Sequence, residues 1–118
     1  VSDQQTHSIQ YAEQATNTQA YTTTATPSVN SDKFGYLNIT ALGVAITSVT
    51  VTGTPVDGQR LTARILSPGA HAIAWGAQFE PVGAALPVIT VAGKRHTVLF
   101  IYDAVTAKWG SIYATVEA

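Results

Sequence analysis

From Arg60 to Ile65 apolar and polar residues alternate strictly. Leu61, Ala63 and Ile65 fall on one face, and Arg60, Thr62 and Arg64 on the other. That period of two predicts a half-buried strand over Gln59–Leu66. The strand follows the turn Gly53-Thr54-Pro55-Val56-Asp57-Gly58. There Pro55 fixes φ, Asp57 is expected to form the turn and Gly58 is free to take a positive φ. Further strands are predicted over Tyr36–Thr40, Val44–Val51, His71–Ala77, Val88–Val91, Arg95–Asp103 and Trp109–Val116. In the second of these the apolar phase switches at Thr47-Ser48, which predicts a bulge or two short strands. Arg95–Asp103 is apolar on both faces (Leu99 and Ile101 against Val98, Phe100 and Tyr102), so it is expected to be central. It is expected to form a hairpin with Lys108–Val116. Residues 78–87 carry Pro81, Gly83 and Pro87 and are read as a loop.

Residues 1–33 break this pattern. Thr, Gln, Ser, Asn and Ala dominate, and neither period is sustained. The run Thr22-Thr23-Thr24-Ala25-Thr26-Pro27 favours extended backbone. A short helix within Gln4–Gln19 is compatible with its Gln, Ala and Glu content. The expected organisation is an extended N-terminal arm over 1–33, then a β domain over 34–118. With seven or eight short strands, turns every ~8–12 residues and no fixed-period repeat, the domain is expected to be all-β. A small antiparallel β-sandwich of jelly-roll type fits best.

Composition sharpens the picture at two points. Only 11% of the 118 residues are charged, against about 25% in a typical globular domain. So sparse a charge predicts that much of the surface meets other protein, in a homo-oligomer. The net charge of −1 gives no electrostatic footprint for nucleic acid. No apolar run approaches the length of a membrane-spanning helix. With no cysteine, disulfides and thiolate metal sites are excluded.

Candidate chemistry is sparse. His7, His71 and His96 show no metal-ligand spacing, and no metal or cofactor is expected. Asp57 and Asp103 sit in turns, and no pair of carboxylates is spaced for acid–base work. Neither a nucleophile elbow nor a phosphate loop is present. The aromatic residues Trp75, Trp109, Tyr102 and Tyr113 lie on alternating strands, which points to core or subunit interface before a sugar-stacking platform. Phe100, Tyr102, Trp109 and Tyr113 are the residues expected at an oligomer interface.

In order along the chain, Gly53-Thr54-Pro55-Val56-Asp57-Gly58-Gln59-Arg60-Leu61, Arg64-Ile65, Ile73-Ala74-Trp75-Gly76, Gly83-Ala84-Ala85-Leu86-Pro87, Thr90-Val91-Ala92-Gly93-Lys94, Phe100-Ile101-Tyr102-Asp103 and Lys108-Trp109 form a series. Together they resemble the small β-domain of tailed-bacteriophage virion proteins, found in head decoration and head-fibre proteins and in tail-fibre tips. The resemblance covers roughly Tyr36–Ala118 and departs from the family at Leu66-Ser67-Pro68-Gly69-Ala70, where a more polar turn is usual. It implies a non-enzymatic structural module, commonly a homotrimer, located on the virion. On that footing the chain is expected to be a capsid decoration or cement protein. Its arm would anchor it to the major capsid protein or to neighbouring subunits, through Tyr11, Tyr21, Thr23 and Val29. The alternative is a tail-fibre or baseplate module that recognises a host surface glycan.

Overall fold

The computed structural model describes residues 18–118. Eight strands are present and no helix occurs among the described residues: β1 Thr18–Tyr21, β2 Ser28–Asn30, β3 Tyr36–Ile39, β4 Thr50–Thr52, β5 Arg60–Leu66, β6 Phe79–Pro81, β7 Arg95–Asp103 and β8 Lys108–Val116. Six of them form one sheet in the order β1-β3-β5-β7-β8-β6, and β2 and β4 form a second. The all-β expectation holds.

The expectation of an antiparallel domain does not. Four of the six ladders are parallel: β1 with β3, β3 with β5, β2 with β4 and β6 with β8. Only β7 pairs antiparallel with its neighbours β5 and β8. The reason lies in the winding. From β1 the chain leaves the main sheet to make β2, returns for β3, leaves again for β4 and returns for β5. Each return enters the main sheet in the same direction, so consecutive returns are parallel. A third excursion places Ile73 beside Ile46 in a parallel bridge. Backbone bonds Ile46 N to Ala72 O at 2.9 Å and Val49 N to Trp75 O at 3.1 Å hold it there. Residues 18–75 are thus three stacked rungs, each with one segment in the main sheet and one outside it.

Burial follows the alternation. On β5 Leu61, Ala63 and Ile65 are buried; on β3 Leu37 and Ile39; on β7 His96, Val98 and Phe100. Val29 from β2 and Val51 from β4 join the same core, with Leu42, Ile46, Val49 and Ile73 from the connections. An aromatic cluster anchors the C-terminal half. Trp75, Phe79 and Phe100 have ring centroids 4.9–5.4 Å apart in tilted or edge-on pairs, a favoured arrangement of aromatic quadrupoles. The buried indole N–H of Trp75 donates to the Pro87 carbonyl at 2.8 Å.

The turn at Gly53–Gly58 is tied at both ends. Gly53 has φ of 94°. A Cβ there would come within 3.0 Å of Asn30, Ser31 and Asp32, so this corner accepts no side chain. The Asp32 carboxylate accepts the Thr54 N–H at 3.0 Å, and the Gln59 side chain donates to the Ser31 carbonyl at 2.8 Å. Asp57 lies in the expected turn, closed by the Gln59 N–H donating to the Val56 carbonyl at 3.0 Å, and its carboxylate also accepts the Ala104 N–H of the β7–β8 loop at 3.0 Å. Gly58 has the expected positive φ, at 84°.

Of the arm expected over residues 1–33, residues 1–17, and with them most of the expected helix, lie outside the described residues. Residues 18–30 are built into both sheets, with Pro27 and Val29 buried. The fold therefore begins well before Phe34.

Candidate functional site

The residues singled out for contact fall into distinct environments. Tyr11 lies outside the described residues. Tyr21 is half-buried at the end of β1, packs against the core, and donates its hydroxyl to the Ser28 carbonyl at 2.6 Å. Thr23 is exposed, and its hydroxyl accepts the Gly43 N–H at 3.1 Å. Val29 is 1% exposed and belongs to the core. Phe100 and Trp109 are likewise fully buried within one chain, so they cannot form a subunit interface as expected. Their aromatic area is already spent on the protein's own core. Tyr102 is half-buried and packs on Trp109 at 5.1 Å between ring centroids. Tyr113 alone of the four is well exposed, at 58%. It lies on β8 opposite Leu99.

Two concave features among the described residues bear on function. The first is a trough of about 390 Å³ at one end of the main sheet, lined by Ile101, Tyr102, Gly110, Val82 and the carboxylates of Asp57, Glu80 and Asp103. Val82 packs directly on Gly110, where a Cβ would meet its side chain at 2.6 Å. Each carboxylate is already engaged in loop structure. Asp57 accepts from Ala104 N–H, Asp103 from Val105 N–H at 2.8 Å and Glu80 from the Thr106 hydroxyl at 3.4 Å. Among the described residues no group of three or more His, Cys, Asp or Glu side chains is placed to hold a metal ion.

The second is a groove of about 330 Å³ between residues 85–89 and the end of β8. Leu86, Pro87, Val88 and Ile89 form one wall and Ala114 and Val116 the other, with His96 also lining it. His96 is buried, and its Nε2 accepts the Val91 N–H at 3.1 Å. That bond requires the neutral ring, and burial lowers its pKa below the usual 6.5. The apolar wall is open to solvent, with Val88 69% exposed.

The groove runs beside an uncovered strand edge. β6 pairs only with Trp109–Ser111 of β8. Just beyond, the Ser111 carbonyl is taken by the N–H groups of Val82, Gly83 and Ala84, and its hydroxyl donates to the Ala84 carbonyl. From Ile112 to Val116 no strand among the described residues pairs with the side of β8 that faces away from β7. β1, at the other end of the sheet, also has no neighbour on its outer side among the described residues.

Reading the sequence found the aromatic residues but not these edges. The signal was present in the uncharged run Ile112-Tyr113-Ala114-Thr115-Val116, but an edge is defined only by strand order. No family model, curated protein or solved structure matches the chain.

Proposed function

We propose that the chain is a non-enzymatic structural module of a bacteriophage virion, a decoration or cement protein held on the capsid surface as a homo-oligomer, with a trimer expected. The observation that carries this reading is a pair of uncharged strand edges, that of β1 and that of the Ile112–Val116 part of β8, left unpaired among the described residues, in a chain with only 11% charged residues. Such edges attach to other protein by backbone hydrogen bonds and need no dedicated pocket. The resembling motifs support it, since they fall on turns and strands of the domain. Val29 and Val51 share one core with the main sheet, which supports reading the two sheets as facing layers of a jelly-roll-like sandwich. The partner would be the major capsid protein or another virion protein.

A second reading, a tail-fibre or baseplate module that recognises a host glycan, draws on a different feature. Stacked parallel rungs over residues 18–75 suit a fibrous shaft that ends in a β domain. One experiment separates the two. An antibody to the protein, imaged on purified particles, is expected to label the capsid surface. Label at the tail would favour the fibre reading, and its absence from particles would overturn both.

A further inference from the structure

We propose that the open edge of β8 receives β1 of a second copy of this chain, in a parallel pair that continues the main sheet from one molecule into the next. The inference rests on the two edges and does not depend on the virion reading.

The backbone geometry defines what each edge offers. The Glu117 N–H donates to the Arg95 carbonyl at 2.8 Å, so Glu117 faces β7. Facing alternates along a strand, so the N–H and C=O groups of Ala114 and Val116 point away from β7. At the other end, the Tyr21 carbonyl accepts the Thr40 N–H at 2.8 Å and so faces β3. By the same alternation Thr18 and Ala20 present their backbone groups outward. Among the described residues each edge therefore displays two residues' worth of unpaired donors and acceptors.

Among the described residues neither edge is guarded by charge or proline. Monomeric proteins blunt such edges with lysine, proline, a bulge or a covering loop. Thr18-Gln19-Ala20-Tyr21 and Ile112-Tyr113-Ala114-Thr115-Val116 contain no charge and no proline. The β-bulge of the β7–β8 ladder, between Leu99 and Phe100, leaves Ile112 as the extra residue on β8 at the start of this edge, and Ala114–Val116 lie beyond it. The apolar wall at Leu86–Ile89 adds burial for whatever strand enters.

Direction and row agree as well. β1, β3, β5 and β8 all run the same way, since β7 is antiparallel to both β5 and β8. Ala20, Asn38, Arg64, Thr97 and Thr115 form one continuous row across the sheet. A second copy related by rotation about an axis along the strands brings its β1 beside β8 in the parallel sense. Its Ala20 then extends the row beyond Thr115. This contact is heterologous, and it closes into a ring when the rotation is a whole fraction of a turn.

The chain has no cysteine, which makes the test direct. Ala20→Cys and Thr115→Cys are both at exposed positions. The two single variants are mixed and treated with a short bis-maleimide. Within one molecule the two sites are four strand spacings apart, about 19 Å, beyond such a linker. The expected result is an A20C–T115C cross-linked dimer in several-fold excess over A20C mixed with Val105→Cys, which sits in the 93% exposed β7–β8 turn. No excess would overturn the proposal, and so would T115C linking mainly to itself, which would indicate a two-fold pairing of β8 edges. In sedimentation the unmodified chain is expected to be oligomeric and Val116→Lys, with unchanged circular dichroism, to be monomeric. An unmodified chain that sediments as a monomer at micromolar concentration also overturns it.

Discussion

The Tyr21 hydroxyl donates to the carbonyl of Ser28, at 2.6 Å, and thereby closes the outer side of β2. The Ser28 N–H returns to the same oxygen at 3.4 Å. The Asn30 carbonyl on that side is taken by the N–H groups of Lys33 and Phe34. The first rung is thus capped over the small sheet while β1 stays open in the main one. Tyr21→Phe keeps the ring against the core and removes only this bond. The expected cost is about 1 kcal/mol, measured by urea unfolding. An unchanged midpoint would show that the cap contributes nothing.

Gln78 completes a strand that is missing beside β4. Its side-chain amide donates to the Val51 carbonyl at 2.8 Å and accepts the Val51 N–H at 2.9 Å. Gln78→Glu keeps the shape and the acceptor but loses the donor, leaving a carboxylate against a carbonyl. A loss of about 1–3 kcal/mol is expected, greater than for an exposed change such as Thr54→Ala. Equal effects of the two substitutions would contradict this role for Gln78.

Phe100→Ala and Trp109→Ala are expected to cost about 3–5 kcal/mol each, independent of protein concentration, because both rings are buried within one chain. Tyr113→Ala, on the exposed end of β8, is expected to change stability by under about 0.5 kcal/mol. Denaturation at two protein concentrations tests both statements.

His96 gives a pH dependence of defined sign. Burial holds its pKa below 6.5 in the folded state, so on acidification the unfolded chain takes up the proton first. Its contribution is complete above about pH 6.5, is lost as pH falls below that value, and levels off under the lowered folded pKa. The exposed Arg95–Glu117 pair beside it, at 3.1 Å, and the nearby Lys94 add only small, salt-screened terms. The urea midpoint is expected to fall between about pH 7.5 and about pH 5, with a smaller fall in His96→Asn. An equal fall in both would remove His96 as the cause.

Truncation separates the fold from what precedes it. A chain starting at Thr18 keeps every described ladder and is expected to unfold cooperatively. A chain starting at Phe34 loses β1, β2 and the buried Pro27 and Val29 and is expected to fail to fold. Cooperative unfolding of the shorter chain would restore the boundary after residue 33.

The strands with strict alternation were legible: β5 in full, and the β7–β8 hairpin with its loop. β1 and β2 were hidden because Thr18–Asn30 offers a single fully inward apolar side chain in β2, Val29, among polar neighbours. β6 was obscured by Pro81. The sheet tolerates that proline because β6 is its last strand and needs no donor on its outer side. Parallel pairing left no local trace, since partners are set by the chain's return to the main sheet. For the same reason the aromatic residues could be ranked as core or interface only once strand order was known. Phe100 and Trp109 went to the core, and Tyr113 to the surface.

The winding also orders events during synthesis. The three rungs of residues 18–75 stack each on the one before, so they can assemble as the chain emerges. β6 is different. Phe79–Pro81 waits for Trp109–Ser111, about thirty residues later in the chain, and until then Trp75, Phe79 and Phe100 lack their final cover. A nascent chain from which Trp109 has not yet emerged would therefore hold its aromatic cluster without that cover, the stage at which this fold is most prone to aggregate.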